Sequence, residues 1–106
     1  MERVIVLGLR GCRHCNALIE SLNESNISFE FRDADSKEHT KLADTMEALL
    51  KTQTYPIVIL ERIGAAKYLY LVDSIEEAKE SSVGFATKVG CVSTDSMVAL
   101  IEKYSK

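Results

Sequence analysis

Hydrophobic positions in this chain fall in short, sharply bounded runs. Val4-Ile5-Val6-Leu7 is continuous and largely β-branched, which predicts a strand from Glu2 to Leu7 covered on both faces and therefore central in a sheet. Gly8 and Gly11 bound a loop. From Cys15 to Asn23 the period changes, with Leu18, Ile19 and Leu22 on one helical stripe. Ile27 to Arg32 alternates apolar and polar residues, as a strand with one covered face does. Asp35 or Ser36 is placed to cap a second helix, whose stripe is Leu42, Met46, Leu49 and Leu50. Pro56 then opens the run Ile57-Val58-Ile59-Leu60. Proline has no amide hydrogen, so the start of a strand is one of the few sheet positions open to it.

Lys67 to Val72 reads as a fourth strand, and Ser74-Ile75-Glu76-Glu77 as a capping box that predicts a short helix through about Lys79. Val83 to Val92 carries two glycines and no clear period. Ser93 or Thr94 caps a last helix with Met97, Val98, Leu100, Ile101 and Tyr104 on its apolar face. The strand–helix–strand start implies a right-handed parallel crossover. The short link after Leu60 implies an antiparallel hairpin. Together these predict an α/β fold in βαβαββα order, a mixed four-stranded sheet with helices on both faces and a small extra helix before the last.

Composition narrows the picture. The 106 residues fit a single domain over positions 1–106, and 46% hydrophobic content is ample for a core. A formal charge of −3 and the lack of a dense Lys/Arg stripe argue against nucleic acid as a partner. No stretch approaches the roughly 20 apolar residues that a membrane helix needs. The cysteine count, 3, is odd, and the first apolar run is too short for a signal peptide. The expected setting is reducing and cytoplasmic, and the expected state is a monomer.

The candidate chemistry lies in Gly8-Leu9-Arg10-Gly11-Cys12-Arg13-His14-Cys15. A Cys-x-x-Cys pair between a strand and a helix reads as a redox dithiol. Cys12 stands at the helix mouth, where free amides and the positive end of the dipole favour an anion. Arg13, His14 and Arg10 add positive charge nearby. Cys15, one turn in, is placed to close a disulfide with Cys12. Cys12 is therefore the expected attacking thiolate and Cys15 the resolving thiol. Structural zinc is the first rival, but it usually wants four ligands in two separated pairs. The remaining candidates are Cys91, His14 and His39, and His14 lies inside the pair. The second rival is a pair of inert buried thiols, which would have to fall by chance at a charged helix entrance.

The chain resembles a glutaredoxin of the thioredoxin superfamily. Cys12-Arg13-His14-Cys15 after the first strand, Thr54-Tyr55-Pro56 before the third, and Gly90-Cys91 leading into the last helix carry the resemblance. It implies thiol–disulfide exchange with glutathione as reductant and no metal. The partners it implies are disulfide-containing or glutathionylated proteins. It also implies that Pro56 is a cis-proline facing the cysteines, and that Tyr55 offers its backbone to the cysteinyl part of glutathione. Thr94, Asp95 and Ser96, at a helix start, would hold the γ-glutamyl end. Two alternatives stay open: a thioredoxin-like electron donor, for example to ribonucleotide reductase, and an iron–sulfur-binding glutaredoxin. The sequence departs from the family pattern in four places. One glycine stands where the family has two, Leu9 stands where it has a lysine, Arg13-His14 replaces Pro-Tyr, and Asp73 to Lys88 reads as an insertion. Cys91 reads as a small buried hydrophobe, with a regulatory thiol as the alternative.

Overall fold

The computed structural model describes residues 3–104. Its elements are β1 (Arg3–Gly8), α1 (Arg13–Glu24), β2 (Glu30–Asp33), α2 (Thr40–Leu50), β3 (Ile57–Arg62), β4 (Ala65–Leu71), β5 (Glu80–Val83), β6 (Ala86–Cys91) and α3 (Thr94–Tyr104). A single 3₁₀ turn, Ile75–Glu77, lies between β4 and β5. Glu2, the predicted start of the first strand, lies outside the described residues.

The sheet has six strands, not the four expected, in the order β2-β1-β3-β4-β6-β5. β1 is parallel to β2 and antiparallel to β3, and β3 is antiparallel to β4. That part is the predicted arrangement, compatible with a thioredoxin-like fold. Of the two extra strands, β6 comes from the stretch without a readable period and β5 from the residues just before it. From β4 the chain passes through the 3₁₀ turn, runs down the outer edge as β5, and turns at Gly84. It returns as β6 between β5 and β4, parallel to β4.

Both faces of the sheet are covered, for the reason visible in the strand pattern. Val4, Val6, Val58, Leu60 and Leu69 meet Leu18 and Leu22 of α1 and Met97 and Ile101 of α3. Ile5, Leu7, Ile57 and Ile59 meet Ala43, Met46 and Leu50 of α2 on the other side. β1 and β3 bury residues of both parities because they lie at the centre.

Several local expectations shift. α2 begins at Thr40, preceded by His39, rather than at Asp35 or Ser36. The Ser36 carbonyl instead accepts the His39 amide at 3.0 Å and the Thr40 hydroxyl at 3.0 Å, which closes a turn. β2 starts at Glu30, so Ile27 and Phe29 pack on the core without joining the ladder. The capping box at Ser74 makes no side-chain cap, and the predicted short helix is reduced to one 3₁₀ turn. Ser93 does cap α3, its Oγ accepting the Ser96 amide at 3.2 Å.

Gly90 lets the chain cross over the end of β6. A β-carbon there would stand 2.5 Å from the Glu77 carbonyl oxygen and 2.8 Å from Val72 Cγ1. Both Glu77 and Val72 belong to the segment between β4 and β5, so the added strands hinge on this contact. Gly90→Ala should cost about 1–3 kcal/mol by overpacking, read as a lower urea midpoint at unchanged slope. A midpoint equal to that of the parent chain would mean that the segment does not rest on Gly90.

Candidate active site

Two chain segments meet at one end of the sheet. Leu7 pairs with Ile57 in the antiparallel β1–β3 ladder. The loop leaving β1 and the loop entering β3 are therefore neighbours. The first carries Cys12 and the second carries Tyr55-Pro56, whose peptide bond is cis. The Cys12 thiol reaches the Tyr55 carbonyl oxygen at 3.9 Å.

Cys12 is the N-cap of α1, with extended backbone (φ −76°, ψ 124°) and no side chain satisfying the first amides. Its carbonyl accepts the Asn16 amide at 3.0 Å, so the residue is fixed as the helix entrance. No acidic residue occupies the first turn. The dipole and the open amides at this sulfur therefore act without a competing side-chain charge. Cys12 is half-buried, which leaves a face for a substrate sulfur.

Cys15 is fully buried beneath it, packed in the same layer as Leu7, Ile57 and Tyr55. Its Sγ accepts the Leu9 amide at 3.5 Å. Burial pushes the Cys15 thiol up to about 12, the Leu9 hydrogen bond opposes this, and the neighbouring Cys12 side chain raises it further. The buried sulfur is thus held as a thiol while Cys12 meets solvent. Gly8 makes room for it, since a β-carbon at Gly8 would stand 2.9 Å from Cys15 Sγ and 3.1 Å from Phe31.

The Tyr55 side chain reaches across to α2. Its hydroxyl donates to Glu47 Oε2 of α2 at 2.5 Å. Burial, and then the Glu47 carboxylate, push the phenol well above its ordinary range, so it remains a donor. This bond ties the loop before β3 to α2 and leaves the Tyr55 backbone facing Cys12. Neither Glu47 nor Gly8 stood out as a functional residue in the sequence. Gly8 had a readable clue, a glycine between a buried strand and a Cys-x-x-Cys. Glu47 had none, because its partner lies in a separate element.

The other predicted residues separate into groups. Arg13 and His14 are exposed on the first turn of α1. Arg10 is exposed and pairs with Asp33 at the end of β2, Nε to Oδ2 3.3 Å, on the side of Cys12 away from Pro56. Thr94, Asp95 and Ser96 begin α3 at the same end of the sheet as Cys12, but they follow β6. Ile57 pairs with Tyr70, and Tyr70 with Gly90, so α3 starts two strand spacings from the Pro56 loop, about 10 Å. Ser93 already holds the Ser96 amide, and the amides of Thr94 and Asp95 have no intrahelical partner. Cys91 lies in the core layer on the opposite face from Cys15, next to Met97 and Leu69. Burial pushes its thiol up to about 11. Among the described residues, no three His, Cys, Asp or Glu side chains are gathered to hold a metal ion, and no helix is long and apolar enough to cross a membrane.

The two raised thiols set a pH dependence. Each prefers its protonated form in the folded state. Their contribution to stability is complete below the ordinary thiol value and disappears as pH climbs through about 11 and about 12. The urea midpoint of the reduced chain should fall from about pH 9 upward. With a Cys12–Cys15 disulfide closed, only the Cys91 share remains, so the fall should be smaller. Equal falls for the two forms would mean that Cys15 gains nothing from burial as a thiol. Below that range, iodoacetamide should modify the native reduced chain at Cys12 alone and reach Cys15 and Cys91 only after unfolding. Native labelling of Cys15 would contradict the burial order.

No curated protein and no solved structure matches the chain. The glutaredoxin family model does, over residues 4–63. That span holds β1, the Cys12–Cys15 helix entrance and the Tyr55-Pro56 loop, and is more than half of the sequence. The chain therefore belongs to the glutaredoxin family.

Proposed function

We propose that this chain is a glutathione-dependent thiol–disulfide oxidoreductase that reduces protein disulfides and glutathionylated proteins, acting as a monomer in a reducing, cytoplasmic setting. The observation that carries the reading is the unequal burial of the two cysteines at one helix entrance. Cys12 is a half-buried helix N-cap at the Tyr55 carbonyl, and Cys15 is a buried thiol directly below.

The exchange follows from that geometry. The Cys12 thiolate attacks one sulfur of the substrate disulfide, and the substrate's S–S bond breaks. The departing sulfur leaves as a thiolate and takes the proton of Cys15. Cys15, now a thiolate, attacks Cys12 Sγ and closes the protein's own disulfide. The second substrate sulfur is released and is protonated from water. Two glutathione molecules then restore the dithiol and leave as one glutathione disulfide, so the electrons balance.

Glutathione has a cysteinyl amide backbone, suited to the Tyr55 backbone beside Pro56. Its γ-glutamyl end carries a carboxylate and an ammonium group. The Thr94 and Asp95 amides suit the first and the Asp95 carboxylate the second. Arg13, exposed on the first turn of α1, places a positive charge at the helix mouth.

Cys12→Ser should abolish turnover with every disulfide. Cys15→Ser should keep much of the reduction of a glutathione mixed disulfide, which glutathione itself can resolve, and lose reduction of an intramolecular protein disulfide. Full activity in both variants would defeat the proposal. The electron source is read by comparing recovery with glutathione plus glutathione reductase against recovery with thioredoxin reductase. Faster recovery is expected with glutathione. Recovery with the second system alone would make the chain a thioredoxin-like electron donor, a reading that the distance between α3 and the Pro56 loop favours.

A further inference from the structure

The segment between β4 and β5 builds something that the rest of the site lacks. It closes one side of a cleft of about 330 Å³. The other side is the end of α2 and the loop before Pro56. Lys51 and Thr54 line it from that side, and Tyr70, Val72, Asp73 and Glu77 from the β4 side. Thr54 is bonded to Tyr55, whose carbonyl stands at Cys12. The cleft thus begins one residue along the loop from the carbonyl that faces Cys12.

Its dimensions and chemistry differ from those of the Cys12 mouth. Beyond Tyr55, a ligand chain meets this cleft and then the end of β4 before it reaches β6 and α3. The path is longer by one strand spacing, about 4.8 Å, than if α3 followed β4 directly. The lining is largely polar. Asp73 and Glu77 are exposed carboxylates, Lys51 is an exposed cation, and among the described residues no salt bridge joins Lys51 to either carboxylate. Tyr70 lies between them with its phenol raised, first by burial and then by the Glu77 charge. Two carboxylates, one ammonium and an aromatic ring give a net negative cleft with a cation-binding face. The mouth at Cys12 carries Arg13 and no acidic first-turn residue, the opposite sign.

Resting on the oxidoreductase reading above, we infer that this cleft is a side-chain subsite for a polypeptide substrate, and that it receives a basic residue near the substrate's reactive cysteine. The substrate backbone lies along Tyr55. The arginine or lysine, roughly one or two residues from the sulfur, enters between Thr54 and the Asp73–Glu77 segment. Glutathione has no arginine or lysine side chain, and its one ammonium group sits beside a carboxylate that this acidic cleft repels, so the subsite separates protein disulfides from glutathione mixed disulfides. The insertion is then a specificity element of the thiol-exchange site rather than a surface elaboration.

The test uses the full chain with two disulfide-bonded peptides that differ only in the residue beside the reactive cysteine, arginine in one and glutamate in the other. Hydroxyethyl disulfide is the small reference. The arginine peptide should be reduced with about fivefold higher kcat/KM, the scale set by exposed ion pairs. The preference should shrink at high salt. The double variant Asp73→Asn, Glu77→Gln should lose most of the preference and keep the rate on hydroxyethyl disulfide. Lys51→Gln should strengthen the preference. Equal rates on both peptides, or a double variant that slows all three substrates alike, would overturn the subsite and leave the oxidoreductase reading intact. No turnover of any disulfide by the parent chain would overturn that reading instead.

Discussion

The pairing of Leu7 with Ile57 organises this molecule. β1 and β3 are the two strands buried on both faces, and they run antiparallel, so the exit of one faces the entrance of the other. One exit loop carries a Cys-x-x-Cys at a helix mouth, and one entrance loop carries a cis-proline. Neither segment has to find the other. The register of two hydrophobic strands brings Cys12 to the Tyr55 carbonyl, and a slip of one residue would turn every core side chain to the wrong face. Placement of the site is therefore protected by much of the core's hydrophobic free energy.

The same constraint explains how unequal the two sulfurs are. α1 starts close above the end of β1, so its first inward-facing residue is driven onto Gly8. That residue is Cys15, and the missing β-carbon at Gly8 is what lets its sulfur settle there. Cys12, three residues earlier, stays at the rim. One helix entrance and one glycine give a thiol that waits and a sulfur that meets substrate. The proposed chemistry uses that difference: the departing substrate thiolate is the base that releases Cys15, which no protein side chain needs to do.

β1 to β4, all three helices and the Cys12–Cys15 pair at a helix entrance were legible in the sequence because each rests on local periodicity or on motif spacing, whereas the cis Pro56 facing the pair was expected only from the resemblance to the family. The two added strands were not. β5 is Glu80-Ser81-Ser82-Val83, mostly exposed on an edge, and so has no apolar alternation to betray it. β6 buries Ala86, Gly90 and Cys91 and leaves Thr87, Lys88 and Val89 half-covered, a pattern set by its neighbours rather than by its own composition. Glu47 was invisible for a related reason. Its role is a hydrogen bond to Tyr55 across two elements, and nothing in the intervening residues marks it. The capping box at Ser74 misled because its residues sit where the chain must cross Gly90, and that crossing leaves space for one turn only.

The extra strands also change what the end of the sheet can bind. Inserting β6 beside β4 carries the start of α3 one strand spacing further from Pro56, while Cys12 and Tyr55 stay where the central register holds them. A ligand anchored at Cys12 by its sulfur and at Tyr55 by its backbone then faces two choices. A small one must stretch to reach the α3 amides. A longer one meets the cleft walled by Asp73 and Glu77 on its way. In the proposed reading, the feature that moves the tripeptide's far anchor away is thus the one that supplies a new contact for a polypeptide. Because both effects come from the same insertion, the proposed selectivity for protein disulfides rests on the topology of the sheet and requires no change at the reacting sulfurs.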